Sequence, residues 1–161
     1  MFIVSVMLYR NIEDFFLNVD TSKKMVGIDF GERKFGIALS DATNLIAIPY
    51  IVYERCNTRK DIGVLYNIFS SNNAGSFIVG FPIQLNGQES VMCEKVLSFV
   101  NKIIKKYKVN IYLHDERYTT AMATRIAKEA KICRKKSQKI DDKVSAALIL
   151  QQVLDIMKLY Q

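Results

Sequence analysis

One carboxylate, Asp29, interrupts the apolar run Met25-Val26-Gly27-Ile28-Asp29-Phe30. An ionised acid in such a run costs free energy unless it is paired, hydrogen-bonded or bound to a cation. Further along, Asp115-Glu116 follows the β-prone stretch Asn110-Ile111-Tyr112-Leu113-His114, and Asp142 heads a helical stripe continued by Ala146, Ile149 and Val153. Three acids drawn together from such distant positions would be a hard-oxygen site for magnesium, or manganese in its place. Each acid also has a plainer reading. Asp29 at a strand end can bond a turn amide, Asp115 and Glu116 can be solvated turn acids with one paired to Arg117, and Asp142 suits a first helical turn through the dipole alone. Strand alternation sends Asp115 and Glu116 to opposite faces, so the residues themselves leave open which of the two would be the ligand.

The elements that must position these acids follow from periodicity. Two β-prone runs around Gly31 read as a hairpin, and Leu45 to Tyr53, with Pro49 suited to an edge or bulge, adds a third strand to an antiparallel meander. Ile62, Leu65, Tyr66 and Phe69 repeat at helical spacing, and Phe77-Ile78-Val79-Gly80 reads as a buried parallel strand ended by Pro82. After the Asn86-Gly87 turn, Val91 to Ile104 marks a second helix whose end is loaded with Lys102, Lys105, Lys106 and Lys108. Beyond the strand ending at His114, a Thr cap starts a helix with Met122, Ile126 and Ala130 on one face. A basic loop over residues 133–139 then precedes a last helix from about Ile140 to Leu159. Residues Leu8 to Val19 carry a short amphipathic pattern. The expected organisation is an N-terminal extension over 1–23 containing a short helix, then one domain over 24–161.

Composition bounds the possibilities. The chain has 161 residues, half of them hydrophobic, with 24% charged and two prolines, which suits one globular domain with a real core. A formal charge of +7 favours a polyanionic partner. Cys56, Cys93 and Cys133 have no paired spacing, so neither a disulfide framework nor a zinc site is expected. The apolar opening Met1 to Tyr9 is too short to span a bilayer, and a cytoplasmic location without membrane contact is expected.

The order of three antiparallel strands, helix, strand, helix, strand and helices resembles the ribonuclease H-like α/β fold. That fold is a three-layer arrangement with a mixed five-stranded sheet, three antiparallel strands then two parallel, flanked by helices. Four motifs across Met25 to Asp155 sharpen the likeness: Gly27-Ile28-Asp29-Phe30-Gly31, Ile78-Val79-Gly80-Phe81-Pro82 with Asn86-Gly87, His114-Asp115-Glu116-Arg117-Tyr118-Thr119-Thr120, and Asp142-Lys143-Val144-Ser145-Ala146-Ala147-Leu148-Ile149-Leu150-Gln151. In that order they resemble the YqgF/RuvX family of Holliday junction resolvases and pre-16S ribosomal RNA nucleases. The resemblance implies a metal-dependent nuclease with Asp29, Glu116 and Asp142 as catalytic metal ligands. It favours Glu116 over Asp115, which stays the alternative. Phosphodiester hydrolysis gives such a site its logic, since paired divalent cations can activate water and neutralise the transferring phosphate.

Arg33, Lys34, Arg117, Arg134, Lys135, Lys136 and Lys139 lie in sequence near these acids, where they can meet backbone phosphates of structured RNA or branched DNA. Asn86-Gly87 can offer amides to phosphate or serve only as a turn. His114 reads as a packed strand residue rather than a ligand, and Tyr107, Tyr112 and Tyr118 as packing residues rather than base platforms. Maturation of the 5′ end of pre-16S ribosomal RNA stands ahead of junction resolution, for which a homodimer rather than a monomer would be needed. Two other classes compete. One is a non-catalytic nucleic-acid-binding module, which has no need of all three acids. The other is an actin-like ATPase, whose phosphate loop Gly27 to Gly31 resembles, but which needs two such domains.

Overall fold

The computed structural model describes residues 7–117 and 134–161, the side chains of residues 134–141 excepted. Its centre is a six-stranded sheet built from β1 (Leu8–Tyr9), β2 (Lys24–Phe30), β3 (Lys34–Ser40), β4 (Ala47–Glu54), β5 (Ala74–Phe81) and β6 (Asn110–Asp115). The strand order is β1-β6-β5-β2-β3-β4. Strands β2, β3 and β4 form the expected antiparallel meander. Strands β5 and β6 run parallel to β2 and to each other, as helical crossovers require. The sixth strand corrects the expected five. Leu8 and Tyr9 do not open a helix but pair in parallel with Ile111 and Tyr112, because Asn11 caps the following turn by accepting from the Asp14 amide at 3.0 Å. Helix α1 therefore spans only Ile12–Asn18.

Helices cover both faces. On one side, α2 (Thr58–Ser71) and α3 (Val91–Tyr107) bury Ile62, Leu65, Val96, Phe99 and Ile103 against Val26, Ile28, Phe35, Phe77 and Ile111. On the other, α1 and α4 (Arg134–Met157) set Phe15, Ala146, Ile149, Leu150 and Val153 against Met25, Ala38, Ile78 and Tyr112. Helix α4 also corrects the basic loop expected over 133–139, since helix is already present from Arg134. No residue between Arg134 and Ile140 is a breaker, so helix extends back through it at little cost. The expected helix carrying Met122, Ile126 and Ala130, together with its Thr cap, Tyr118 and Cys133, lies outside the described residues. Among those residues no helix is long and apolar enough to cross a membrane.

The α4 face of the sheet is floored by glycine. Strand alternation turns Gly27 of β2, Gly36 of β3 and Gly80 of β5 toward this face. An added Cβ at Gly27 would stand 2.8 Å from Leu150 Cβ and 3.0 Å from the Ala146 carbonyl oxygen. At Gly36 it would collide with the carbonyl oxygen of Asp142. The helix backbone thus rests directly on the strands, which fixes how far across the sheet its first described side chain reaches. Gly27→Ala is expected to lower stability by about 1–3 kcal/mol through overpacking. Gly63→Ala, in α2 with nothing within 4 Å of the added carbon, is expected to raise it by about 0.5–1 kcal/mol. Urea titration of the two variants beside the parent chain checks both signs.

Candidate active site

The acids meet at the end of the sheet where the parallel strands finish. Asp29 lies on β2, on the α4 face, and pairs in register with Gly36 of β3. Above Gly36 sits the backbone of Asp142, whose carbonyl occupies the space a side chain would need. On the other flank, Glu116 follows β6 and folds its carboxylate over Gly80 of β5, filling that glycine's empty Cβ position. Glycines on the strands either side of Asp29 therefore let Asp142 and Glu116 close in on it. The three acids form a row across β3, β2 and β5.

Their electrostatics follow from this crowding. Burial, then the nearby charge of Asp142, pushes the Asp29 carboxyl up to about 6. Burial, then Asp29 and Asp115, pushes Glu116 up to about 7. Asp115 behaves differently. Burial acts to raise it, but two hydrogen bonds from Arg117 Nε at 2.9 and 3.0 Å, one from Nη2 at 2.6 Å and the guanidinium charge win, holding it below its ordinary value. Alternation alone left the two neighbours undecided. Arg117, two residues on, engages Asp115, while Glu116 faces Asp29.

The donor set suits a hard divalent cation, because a positive charge would offset both the burial and the repulsion that raise these pKa values. Magnesium takes one or two carboxylates and keeps several waters. Asp29 with either flanking acid supplies that number. Among the described residues no three His, Cys, Asp or Glu side chains close on a single ion position, in keeping with a row rather than a cage.

The basic residues divide. Arg33 and Lys34 are exposed on the turn just after Asp29 and line a cleft of about 610 Å³ with Arg55 and the acids Glu32, Glu54 and Asp61. Arg117 is occupied in bracing Asp115. Arg134, Lys135, Lys136 and Lys139 precede Asp142 on α4 by roughly 5–12 Å at 1.5 Å per residue, and their side chains lie outside the described part of the chain. At Asn86-Gly87, the Gly87 amide donates to the Gln84 carbonyl at 2.8 Å, closing a turn with φ +84°. His114 is 6% exposed, and its Nε2–H donates to Gln152 Oε1 at 2.7 Å, while Nδ1 is buried without a partner. Burial pulls its pKa down against the opposing effects of Gln152 and Asp115.

Sequence reasoning missed two groups. One is the glycine floor, whose signal was glycine recurring inside strands. The other is Arg55, which stacks over Phe30 and Phe35, donates to buried Asp61 at 3.0 Å and holds the Gly31 carbonyl at 3.1 Å. It thereby clamps the turn that follows Asp29.

In the unfolded chain Asp29 and Glu116 titrate near their ordinary values of about 4, so both bind protons more tightly when folded. Without added metal their contribution is therefore fullest below about pH 4 and is lost as pH rises through about 6 and 7, a decline on the order of 3 kcal/mol for each group. Asp29→Asn is expected to melt higher than the parent at pH 8 in chelator, with the gap closing toward pH 5. Equal melting across that range would overturn the crowding assigned to Asp29.

A family model described as "RuvX: Holliday junction resolvase" matches residues 23–156. A protein of Ehrlichia canis (strain Jake) named "Putative pre-16S rRNA nuclease" is 64% identical over 155 residues, covering 96% of this chain and 99% of that protein. A relative of the same name from Anaplasma marginale (strain St. Maries) is 53% identical over 152 residues, covering 94% and 97%. Among solved structures, T. thermophilus RuvC in complex with Holliday junction substrate superposes with a TM-score of 0.57 at 13% identity, over 84% of this chain and 96% of that one, a likeness of fold. By the family model and these sequence relatives, the chain belongs to the RuvX family.

Proposed function

We propose that this protein is a metal-dependent endonuclease that hydrolyses phosphodiester bonds of structured nucleic acid in the cytoplasm. Its substrate on this reading is the 5′ end of pre-16S ribosomal RNA, the substrate class for which its 64% identical relative is named. The observation that carries the proposal is the row of Asp29, Glu116 and Asp142, assembled by glycines from three distant parts of the chain. Residues 24–161 form the nuclease domain, with 1–23 as an extension of it.

Asp29, Glu116 and Asp142 would hold magnesium, or manganese, which when bound supplies activation of water and neutralisation of the transferring phosphate. The chain's own groups do the positioning. Asp29 is held by β2 from one side and by the Arg55-clamped turn from the other. Glu116, with its pKa near 7 before any cation binds, sits where it can hold or release a proton close to neutrality. Arg33, Lys34 and the basic first turns of α4 neutralise backbone phosphates on either side of the row. Arg117 adds its charge beside Glu116 and fixes Asp115 away from the centre.

The description of the matching family gives the second reading, resolution of four-way DNA, which would require two aligned sites in a homodimer. A purely binding module explains neither the buried repulsion nor the glycines that tolerate it. Incubating the parent chain, Asp29→Asn, Glu116→Gln and Asp142→Asn with pre-16S precursor RNA and with four-way DNA in magnesium or manganese separates these readings. Each of the three variants is expected to lose at least about 100-fold in rate, and Asp115→Asn less than about tenfold. Equal cutting by parent and Asp29→Asn, or no cutting of either polymer by the parent, would defeat the nuclease reading.

A further inference from the structure

At the opposite end of the sheet, where β5 and β6 begin, an open pocket of about 370 Å³ is lined by Lys23, Tyr66, Phe69, Tyr107, Lys108 and small neighbours, with no carboxylate among the described residues of its wall. A ladder of rings runs outward from the core to this pocket. Phe77, fully buried, lies 4.8 Å from Phe69, Phe69 lies 6.0 Å from Tyr66, and Tyr66 stacks on Tyr107 at 3.7 Å with planes 6° apart. Tyr66 and Tyr107 are half-buried, whereas Lys23, Lys105, Lys106 and Lys108 are exposed. Lys106 Nζ lies 5.1 Å from the Tyr107 ring centroid.

Helix-end electrostatics account for Lys105 and Lys106, which sit in the last turn of α3. They do not account for Lys23, which reaches the pocket from outside any helix because Gly75 leaves room for its stem, the missing Cβ falling 2.9 Å from Lys23 Cβ. Nor do they account for an outermost aromatic pair that the core covers only in part. The nearest acid in that loop, Asp20, accepts from Ser22 at 2.5 Å and feels the charge of Lys23, the least of the influences on it, so it offsets that lysine only in part. Aromatic faces ringed by lysines match the chemistry of unpaired nucleotides, which stack their bases and present phosphates alongside.

We propose that this end of the molecule is a second nucleic-acid site, at which an unpaired base takes the face of Tyr107 opposite Tyr66, displacing the Lys106 ammonium that lies over that ring, and flanking phosphates meet Lys23, Lys106 and Lys108. The site deepens the nuclease reading, on which it rests, by naming a single-stranded segment of the substrate as a second point of attachment. From Ala74 to Gly80 the strand carries the two sites about 20 Å apart through the sheet, so a polymer reaching both must run further over the surface. Long precursors are held at two points and short fragments at one, which raises apparent affinity for the former.

The chain contains no tryptophan, so Tyr107→Trp installs a single fluorescent reporter that keeps an aromatic face. In an Asp29→Asn background, where the oligonucleotide is not cut, titration with a 12-residue oligouridine is expected to quench this tryptophan saturably. Inorganic polyphosphate, which carries charge but no bases, is expected to bind without quenching. Adding Lys23→Glu or Lys106→Glu should weaken the oligouridine at least about fivefold and reduce the salt slope by roughly 0.7 for each phosphate that is no longer neutralised. Anisotropy of labelled oligouridine against the lysine variants with Tyr107 intact gives the same comparison should the tryptophan disturb packing. Absence of quenching, or unchanged affinity in both lysine variants, overturns the site. Cleavage by the parent chain is scored separately, so loss of this site and loss of the nuclease reading are distinguishable.

Discussion

The close approach of α4 to the sheet is the constraint from which the rest follows. A helix carrying Ala146, Ile149, Leu150 and Val153 on one face settles wherever that face is best buried. Because Gly27 and Gly36 offer no side chains to hold it off, it settles directly on the strand backbone. Apolar packing thus achieves what the acids cannot achieve for themselves. Asp142 and Asp29 repel, and so do Asp29 and Glu116, yet all three are pinned by elements whose stability comes from hydrophobic surface remote from the repulsion. The raised pKa values of Asp29 and Glu116 record their burial first and that repulsion second.

The other face of the sheet supplies the complementary rigidity. Arg55 bridges buried Asp61 at the start of α2 to the carbonyl of Gly31 and lies over Phe30 and Phe35. Asp61 in turn accepts from Tyr53 and from the Cys56 amide. This fully bonded ion pair ties the end of β4, the start of α2 and the β2–β3 turn into one unit. Asp29 is thereby held between a helix pressing from one face and a guanidinium-braced turn on the other.

Much of this was legible in the residues because it is local. The charge of Asp29 in an apolar run, the β-prone runs either side of Gly31, the helical spacing of Ile62, Leu65 and Phe69 and the stripe below Asp142 each express a short-range pattern. What escaped was long-range or depended on a single neighbour. The two-residue strand Leu8–Tyr9 carries too little pattern to stand out, and exists because β6 offers an unpaired edge. The true onset of α4 was hidden by a basic composition that suits helix and loop alike. Alternation could not separate Asp115 from Glu116, whereas Arg117 folding back on the one and Gly80 receiving the other do, and the bond between His114 and Gln152 joins positions 38 apart that no period links.

That short first strand bears on how the chain is made. The Met7 amide bonds the side chain of Asn110, 103 positions later, and the Ile111 amide donates to the Met7 carbonyl at 3.2 Å. At elongation rates of about 5–20 residues per second, the segment waits roughly 5–20 s for its partner to be synthesised. Tyr9 and Phe15, both buried in the finished molecule, have no core to enter during that interval. The nascent protein therefore carries this apolar segment uncovered, a transient target for chaperones, until β6 arrives to receive it.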